Sequence, residues 1–371
     1  MGEYILVKHH MFNTYLMGPG GSEYVTLETA IALAKKGYTV YIDSATLNSK
    51  CKLMELIEYY GLNYSEARSI GLGDPGGKPV LTVNTSGDVL SGIGDVLYLH
   101  YPSFLDHETY YPGLKGLSSI VGKTYSLINS LVFPLIMRRV KVYIANSRLT
   151  ASFFEKYYGI RPHIIPPPVN IDDIIEKPLP PRYERKPVVL TVARISPEKH
   201  VENTIYVASR LRKLGVKADF IVAGTLSKYN IDYYDHLLEL AVKVGVDDLV
   251  DFKTNISRRE LIELYRESMV YLHPTPREHF GISVVEAMAA GVPTVLPVES
   301  GSWIDIAERD RSIALPYKSL SDAASAVKLL LEREELWLEL SESSKMRARR
   351  MDRHSFHSKL YNTVEPLLAP R

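Results

Sequence analysis

The stretch Glu278-His279-Phe280-Gly281-Ile282-Ser283-Val284-Val285-Glu286, continued by Ala287-Met288-Ala289-Ala290-Gly291-Val292-Pro293, decides how the rest of the chain is read. Its two carboxylates stand eight positions apart, a little over two helical turns. A helix starting near Ile282 puts Glu286 on its first or second turn and leaves Glu278 in the loop before it. Both side chains can then face one ligand across the helix N-terminus, where unbonded N–H groups and the positive dipole end favour a phosphate. Gly281, with no side chain, lets the backbone come close to that ligand. The plainer alternative is an acidic loop leading into an ordinary helix.

Outward from this stretch the second half alternates strand and helix. Strands are expected over residues 188–193, 218–223, 250–253, 270–273 and 294–297, and helices over 201–214, 233–244, 257–268, 283–290 and 321–333. The first half has the same rhythm, with strands at 4–10, 39–45, 95–100 and 140–147 and helices at 22–36, 49–60 and 149–158. Short, continuous apolar strands between amphipathic helices predict parallel sheets covered on both faces, an α/β fold. Pro166-Pro167-Pro168 and Pro178-Leu179-Pro180-Pro181 bracket a stretch without clear period, which reads as a semi-rigid linker. The expected organisation is therefore a Rossmann-like domain over 1–170, a linker over 171–187 and a second Rossmann-like domain over 188–354. Ligands of such doubly wound sheets bind beyond the strand carboxyl ends.

The 371 residues are enough for two domains. Hydrophobic residues make up 46% and charged residues 23%, values typical of a globular protein with a full core. A net charge of +1 gives no footprint for nucleic-acid binding. Cys51 is the single cysteine, which excludes an internal disulfide and a cysteine-based zinc site. Residues 4–7 are too short for a signal region and read as a strand. The longest apolar stretch, 127–137, is too short to span a bilayer. The expected location is the cytoplasm, with the cytosolic face of a membrane open as a docking surface.

Other motifs fall where strands hand over to helices. Arg194 and Lys199 follow the first strand of the second half, where fixed cations could meet an anionic ligand. The alternative is a strand end with two solvated charges. Gly18-Pro19-Gly20-Gly21 opens the first helix, either as a close-approach loop or as a turn capped by Ser22. It is not a dinucleotide fingerprint, and Gly76-Gly77-Lys78-Pro79 is not a P-loop. His100 closes a strand, as does Asn146-Ser147-Arg148, where Ser147 can cap the next helix. Asp172-Asp173 lies beside prolines without flanking ligands, so no metal site is expected. Residues 114–141 mix Lys123, Arg138 and Arg139 with Leu127, Ile128 and Leu131. That segment reads either as a core helix with solvated ends or as a surface for an anionic membrane or lipid phosphate.

The Glu278–Glu286 stretch resembles the Glu-x7-Glu signature of retaining glycosyltransferases of family 4, which have the GT-B fold. Its Glu-His-Phe-Gly-Ile spelling, with His100-Tyr101-Pro102, is most similar to the mannosyltransferases that extend dolichol-linked glycans. The resemblance implies two doubly wound domains facing across a cleft, with a last helix at 355–371 rejoining the first. It implies Glu278 beside the donor sugar, Glu286 on the ribose, and His279, Phe280, Gly281 and Ile282 around the nucleotide. Arg194 and Lys199 would grip the diphosphate, Gly20 and Gly21 would approach it, and His100 would orient sugar or acceptor. The implied reaction is retaining and needs neither metal nor cofactor: a hexose, mannose from GDP-mannose, passes to a lipid-linked or other glycan acceptor. A UDP-sugar-dependent transferase, a GT-B sugar-nucleotide epimerase and a non-catalytic sugar-nucleotide-binding partner in a membrane glycosylation complex are the alternatives.

Overall fold

The computed structural model describes residues 3–10, 20–87, 93–100 and 117–368. They fall into two compact units, the second covering Val169–Asp352 and the first taking the residues up to Pro168 together with those from Arg353 onward.

The first unit is built on a seven-stranded parallel sheet: β1 (Ile5–Lys8), β2 (Val40–Asp43), β3 (Gly71–Leu72), β4 (Leu81–Asn84), β5 (Val96–Leu99), β6 (Val142–Ala145) and β7 (His163–Ile164). Their order is β3-β2-β1-β4-β5-β6-β7, so the direction of winding reverses between β1 and β4. The burial of Ile5, Val7, Val96 and Leu99 to 0% exposure explains why these strands read as unbroken apolar runs. Helix Gly21–Lys35 follows β1 and is covered in turn by the last helix, Arg353–Leu368. A buried ion cluster fastens that contact. Arg353 donates to both oxygens of Glu28 at 2.8 and 3.2 Å and to Glu66 at 2.7 Å, and His357 donates to Glu28. Burial alone would raise the Glu28 carboxyl, but the His357 hydrogen bond and the Arg353 charge hold it below its usual value.

The second unit carries a six-stranded parallel sheet: β8 (Lys186–Val192), β9 (Asp219–Gly224), β10 (Val250–Thr254), β11 (Ser268–Leu272), β12 (Thr294–Pro297) and β13 (Leu315–Tyr317). Its order, β10-β9-β8-β11-β12-β13, reverses between β8 and β11. Alternate side chains go to opposite faces. Val189, Val222, Val270, Leu272 and Val295 pack under the helices Glu202–Lys213 and Leu320–Glu332. Their neighbours Leu190, Ala223, Tyr271 and Leu296 pack with the helix Ile282–Ala289 on the other side.

The proline-bracketed stretch does not stand apart as a linker. Val169, Ile171 and Ile174 are buried in the second unit's core. Its lack of period reflects a single short helix, Asp172–Ile175, whose contacts are made to distant helices rather than along its own length. Arg185, just before β8, ties the same unit together without a carboxylate. It donates to the carbonyls of Ser268 at 3.1 Å and Ala290 at 2.7 Å, at the C-terminal ends of two helices, where dipole and orphan carbonyls favour a cation. Burial pushes its guanidinium down to about 10, still charged at neutral pH.

Candidate functional site

The site in the second unit lies where its sheet reverses direction, beyond the carboxyl ends of the adjacent strands β8 and β11. Such a crevice is where open α/β sheets bind ligands. Two loops meet there. After β8, the chain turns through Pro197–Lys199, a short 3-10 helix closed by His200 in the left-handed region at φ 50°. After β11, the chain runs through His273 to Glu278. The Thr275 hydroxyl donates to the Lys199 carbonyl at 3.0 Å, and Asn203 donates to the Pro274 carbonyl at 2.9 Å. These bonds fix one loop against the other and bring Lys199 Nζ to 2.7 Å from Glu278 Oε2.

That pair is mostly shielded, with the Lys199 and Glu278 side chains 21% and 16% exposed. Burial alone would raise the Glu278 carboxyl, but the Lys199 ammonium outweighs it, and with His273 and the His279 amide it brings the carboxyl down to about 2. Glu278 is therefore ionised at any working pH. Arg194 leans instead toward Glu198, 3.6 Å away, and Glu198 accepts from the Ser196 hydroxyl at 2.6 Å. Both predicted cations are thus held by carboxylates, and an arriving anion would compete with those carboxylates for them.

The helix Ile282–Ala289 begins as its sequence suggests. Gly281 is the residue before the first turn, at φ 102°, in a region that L side chains rarely adopt. Among the described residues no side chain caps this N-terminus, and the Val284 amide donates to the Gly281 carbonyl at 3.0 Å. Phe280 is 3% exposed within the core, so its ring anchors the loop and what it can offer a ligand is backbone. Ile282 and His279 are half-buried. Gly301, unremarked in the sequence, is what lets the loop sit here. Its amide donates to the Glu278 carbonyl at 2.6 Å, and a Cβ on it would lie 1.9 Å from the His279 carbonyl oxygen.

Glu286 is far less open than its place in the motif suggests. It is 8% exposed, and its Oε2 accepts from the Tyr265 hydroxyl at 2.9 Å while Arg258 donates to Oε1. Arg258 is shared. It also grips Asp173 through Nε at 2.9 Å and Nη2 at 3.0 Å, and the Asn170 carbonyl at 2.9 Å. Burial would lower the guanidinium, but Glu286 and Asp173 together hold it well above the usual arginine value. Asp173 is thus one arm of a buried ion set.

His273 is the residue that sequence reasoning missed beside Glu278. It is 2% exposed, stacked on Tyr271, and its Nε2 lies 3.9 Å from Glu278 Oε2. Among the described residues neither ring nitrogen has a hydrogen-bond partner. Burial, outweighing the Glu278 charge and assisted by Lys199, pushes the imidazole down to about 4. A histidine kept neutral in the fold stabilises it only where the unfolded chain is neutral too. Stability should therefore fall as pH drops from 6.5 through about 4, by on the order of 3 kcal/mol. Urea titrations of the protein and of His273→Asn across that range check this, and equal slopes in the two would refute it.

Gly20, Gly21 and His100 belong to the first unit, and the remaining predicted residues to the second. Gly20 caps helix Gly21–Lys35, but Ser22 does not do the capping: the Glu23 carboxylate accepts from the Gly20 amide at 3.0 Å and from the Ser22 hydroxyl at 2.9 Å. The carboxylate sits over the first-turn N–H groups because the dipole favours it there. Met17–Pro19 and Tyr101-Pro102 lie outside the described residues. His100 follows β5, and its Nε2–H donates to the Thr85 carbonyl at 2.9 Å, beyond the end of β4. Nearby, His9 Nδ1 is 3.2 Å from the Ser86 hydroxyl, beyond β1. Ser147 caps the helix Arg148–Tyr158 through the Thr150 amide at 3.1 Å.

Residues 172–350 match the family model described as glycosyl transferases group 1. They form a group 1 glycosyltransferase domain. That domain contains Arg194, Lys199, Glu278 and Glu286, so the crevice just described is its own. Among similar proteins is the GDP-Man:Man(3)GlcNAc(2)-PP-Dol alpha-1,2-mannosyltransferase of Dictyostelium discoideum, 24% identical over 76% of this chain and 60% of that protein. A D-inositol 3-phosphate glycosyltransferase of Mycobacteroides abscessus is 31% identical over 40% of this chain and 32% of that protein. The chain thus spans less than two thirds of the length of these curated relatives. Of solved structures, sucrose-phosphate synthase from Thermosynechococcus elongatus superposes with a TM-score of 0.71 at 14% identity, covering 99% of both chains. WaaG, a glycosyltransferase involved in lipopolysaccharide biosynthesis, gives 0.68 at 18% identity over 97% of this chain and 99% of that one. The fold is GT-B.

Proposed function

We propose that this chain is a retaining, metal-independent glycosyltransferase that moves mannose from GDP-mannose to a lipid-linked glycan. The observation that carries the reading is the shielded Lys199–Glu278 pair at the β8/β11 switch point of a group 1 glycosyltransferase domain. A departing nucleoside diphosphate gathers negative charge. Lys199, Arg194 and the N-terminus of helix Ile282–Ala289 would meet that charge without a metal. As Lys199 turns to the diphosphate, Glu278 would be released to hold sugar hydroxyls and to face the positive charge developing at the anomeric carbon. In the proposed transfer the bond from the acceptor oxygen to the anomeric carbon forms as the bond to the donor phosphate breaks, on the same face. The acceptor proton passes to the departing phosphate, so no strong general base is required. His100, oriented by Thr85, would serve sugar or acceptor, Gly20 and Gly21 would approach the phosphates, and Glu286 would reach the ribose. The choice of mannose and of a lipid-linked acceptor is supported by the mannosyltransferase relatives and by the Glu-His-Phe-Gly-Ile spelling. Such an acceptor would place the reaction at a membrane surface.

Calorimetric titration of GDP, UDP, ADP, GDP-mannose and UDP-glucose with EDTA present tests the donor. Selective binding of GDP and GDP-mannose is expected. A preference for UDP species would discard mannose, and binding only after metal is added would overturn the metal-free route. Lys199→Ala should weaken GDP by about ten- to a hundredfold, the scale of a charge-assisted hydrogen bond, with guanosine little changed. Equal losses for nucleotide and nucleoside would refute a phosphate role for Lys199.

A further inference from the structure

The helix Leu117–Met137 turns its apolar stripe away from the protein. Ile120, Leu127, Ile128, Leu131 and Leu135 are 63%, 58%, 44%, 65% and 64% exposed. With exposed Thr124 they follow i, i+4, i+7, i+8, i+11 and i+15, which is one face of a helix. The stripe is about 22 Å long at the helical rise per residue. The opposite side is the one that packs: Phe133 is 1% exposed and sits 5.7 Å from the Phe154 ring and 5.4 Å from that of Tyr158. A core helix with solvated ends would show the reverse pattern.

Charge selects what covers the stripe. Arg138 continues its line one turn further, Arg139 stands beside it and Lys123 flanks the other edge, all three exposed. Residues 117–140 contain no Asp or Glu. Lys141, next along, is already paired with Asp95 at 2.6 Å and adds nothing to the patch. A second copy docked stripe to stripe would bring basic residues into the contact with no acidic residue of this helix to meet them. A surface of anionic lipid headgroups compensates them and takes the apolar side chains below. No helix among the described residues is long and apolar enough to cross a membrane, so the contact is with the surface, the helix lying in its plane.

We infer that the exposed face of helix Leu117–Met137, Ile120 through Leu135 with Lys123, Arg138 and Arg139, is a docking surface for an anionic lipid bilayer. The lipid-linked acceptor proposed above gives this contact a purpose. Vesicle binding is measured with neither donor nor acceptor, however, so the docking surface and the proposed reaction stand or fall separately.

The test is co-sedimentation with vesicles of phosphatidylcholine alone and of phosphatidylcholine with phosphatidylglycerol, beside analytical ultracentrifugation of the free protein. The whole protein should bind the anionic vesicles and lose them as salt is raised. Leu127→Glu/Leu131→Glu should weaken binding by on the order of a hundredfold, since two inserted side chains become charged. Arg138→Ala/Arg139→Ala should weaken it about thirtyfold, at the usual contribution of a basic residue near an anionic surface, with no change in thermal stability because both side chains are exposed. Binding that is equal for all three proteins, or absent for the unaltered one, overturns the assignment. So does a dimer in the ultracentrifuge that Leu127→Glu/Leu131→Glu dissociates, which would give the stripe to a second copy.

Discussion

Glu278→Ala should cut sugar transfer at least about a hundredfold, the scale lost when one preorganised electrostatic contact to a transition state is removed, while nucleotide binding persists. The two halves of that expectation have one cause. Glu278 is the partner of Lys199, so the carboxylate would compete with a diphosphate for the same ammonium. Removing it leaves Lys199 with no counter-charge on that side, and GDP affinity should hold or rise. On the proposed mechanism the carboxylate's own work comes later, when positive charge develops on the sugar. Paired with Lys199, its carboxyl is brought down to about 2, so Glu278 enters the proposed reaction as a carboxylate. Glu278→Gln keeps the shape and some hydrogen bonding but not the charge, and it should sit near the alanine variant in rate. Single-turnover rates with GDP-mannose, set beside GDP titrations of the same proteins, make the comparison. Near-normal turnover in Glu278→Ala would remove the assignment. A large loss of GDP affinity without a loss of rate at saturation would make Glu278 a binding residue only.

What the sequence revealed, and what it hid, follows from the distance over which each interaction acts. The longer strands and helices were legible because period and apolarity are local, whereas β3, β4, β7 and β13, each of two to four residues, are too short to show a period and went unread. Leu190 and Val189 are adjacent, and their burial on opposite faces is a property of any strand. The loops after β8 and β11 were legible for the same reason, since Arg194, Lys199 and Glu278 each lie in the stretch that follows an apolar run. Gly281 was readable as a point of close backbone approach, but its φ of 102° at the helix entry became visible only in the structure. The partners were not. Arg258 reaches Asp173 across 85 positions and Glu286 across 28, and Arg353 reaches Glu28 across 325; no spacing rule connects such pairs. Glu286, read by its offset from Glu278, thus proved to be tied up by residues that the offset says nothing about. His273 closes an apolar strand and reads as nothing more until Lys199 and Glu278 are seen beside it. Glu23 was hidden differently: the capping residue expected was Ser22, yet Gly20 occupies the cap position and a carboxylate three residues on returns to it. The direction in which helix Leu117–Met137 faces was open from the sequence, because stripe and charges are the same whether that stripe is buried or exposed.

Arg258→Met should destabilise the second unit by about 3–5 kcal/mol, because it leaves a buried carboxylate without its cation. Glu286 bears most of that loss: its side chain is 11% exposed, against 23% for Asp173, which water can reach more easily. Urea denaturation checks the figure, and a loss under about 1 kcal/mol, the scale of a solvated surface pair, would show the set to be open to water. The same substitution separates two duties of Glu286. If this carboxylate only balances Arg258, then Arg258→Met/Glu286→Leu removes both charges, should recover most of the stability, and should bind GDP as the unaltered protein does. If it also holds the ribose, the double variant should be stable but impaired, with GDP and guanosine weakened alike, unlike Lys199→Ala, which acts on the phosphates. The second outcome is expected. Each carboxylate oxygen accepts one bond in the fold and retains capacity for another, and Glu286 stands in the helix that begins at Ile282, four positions after Glu278. On that proposal ion balance and ribose contact are complementary: Arg258 and Tyr265 hold the carboxylate in place, which would preorganise it for a pair of hydroxyls.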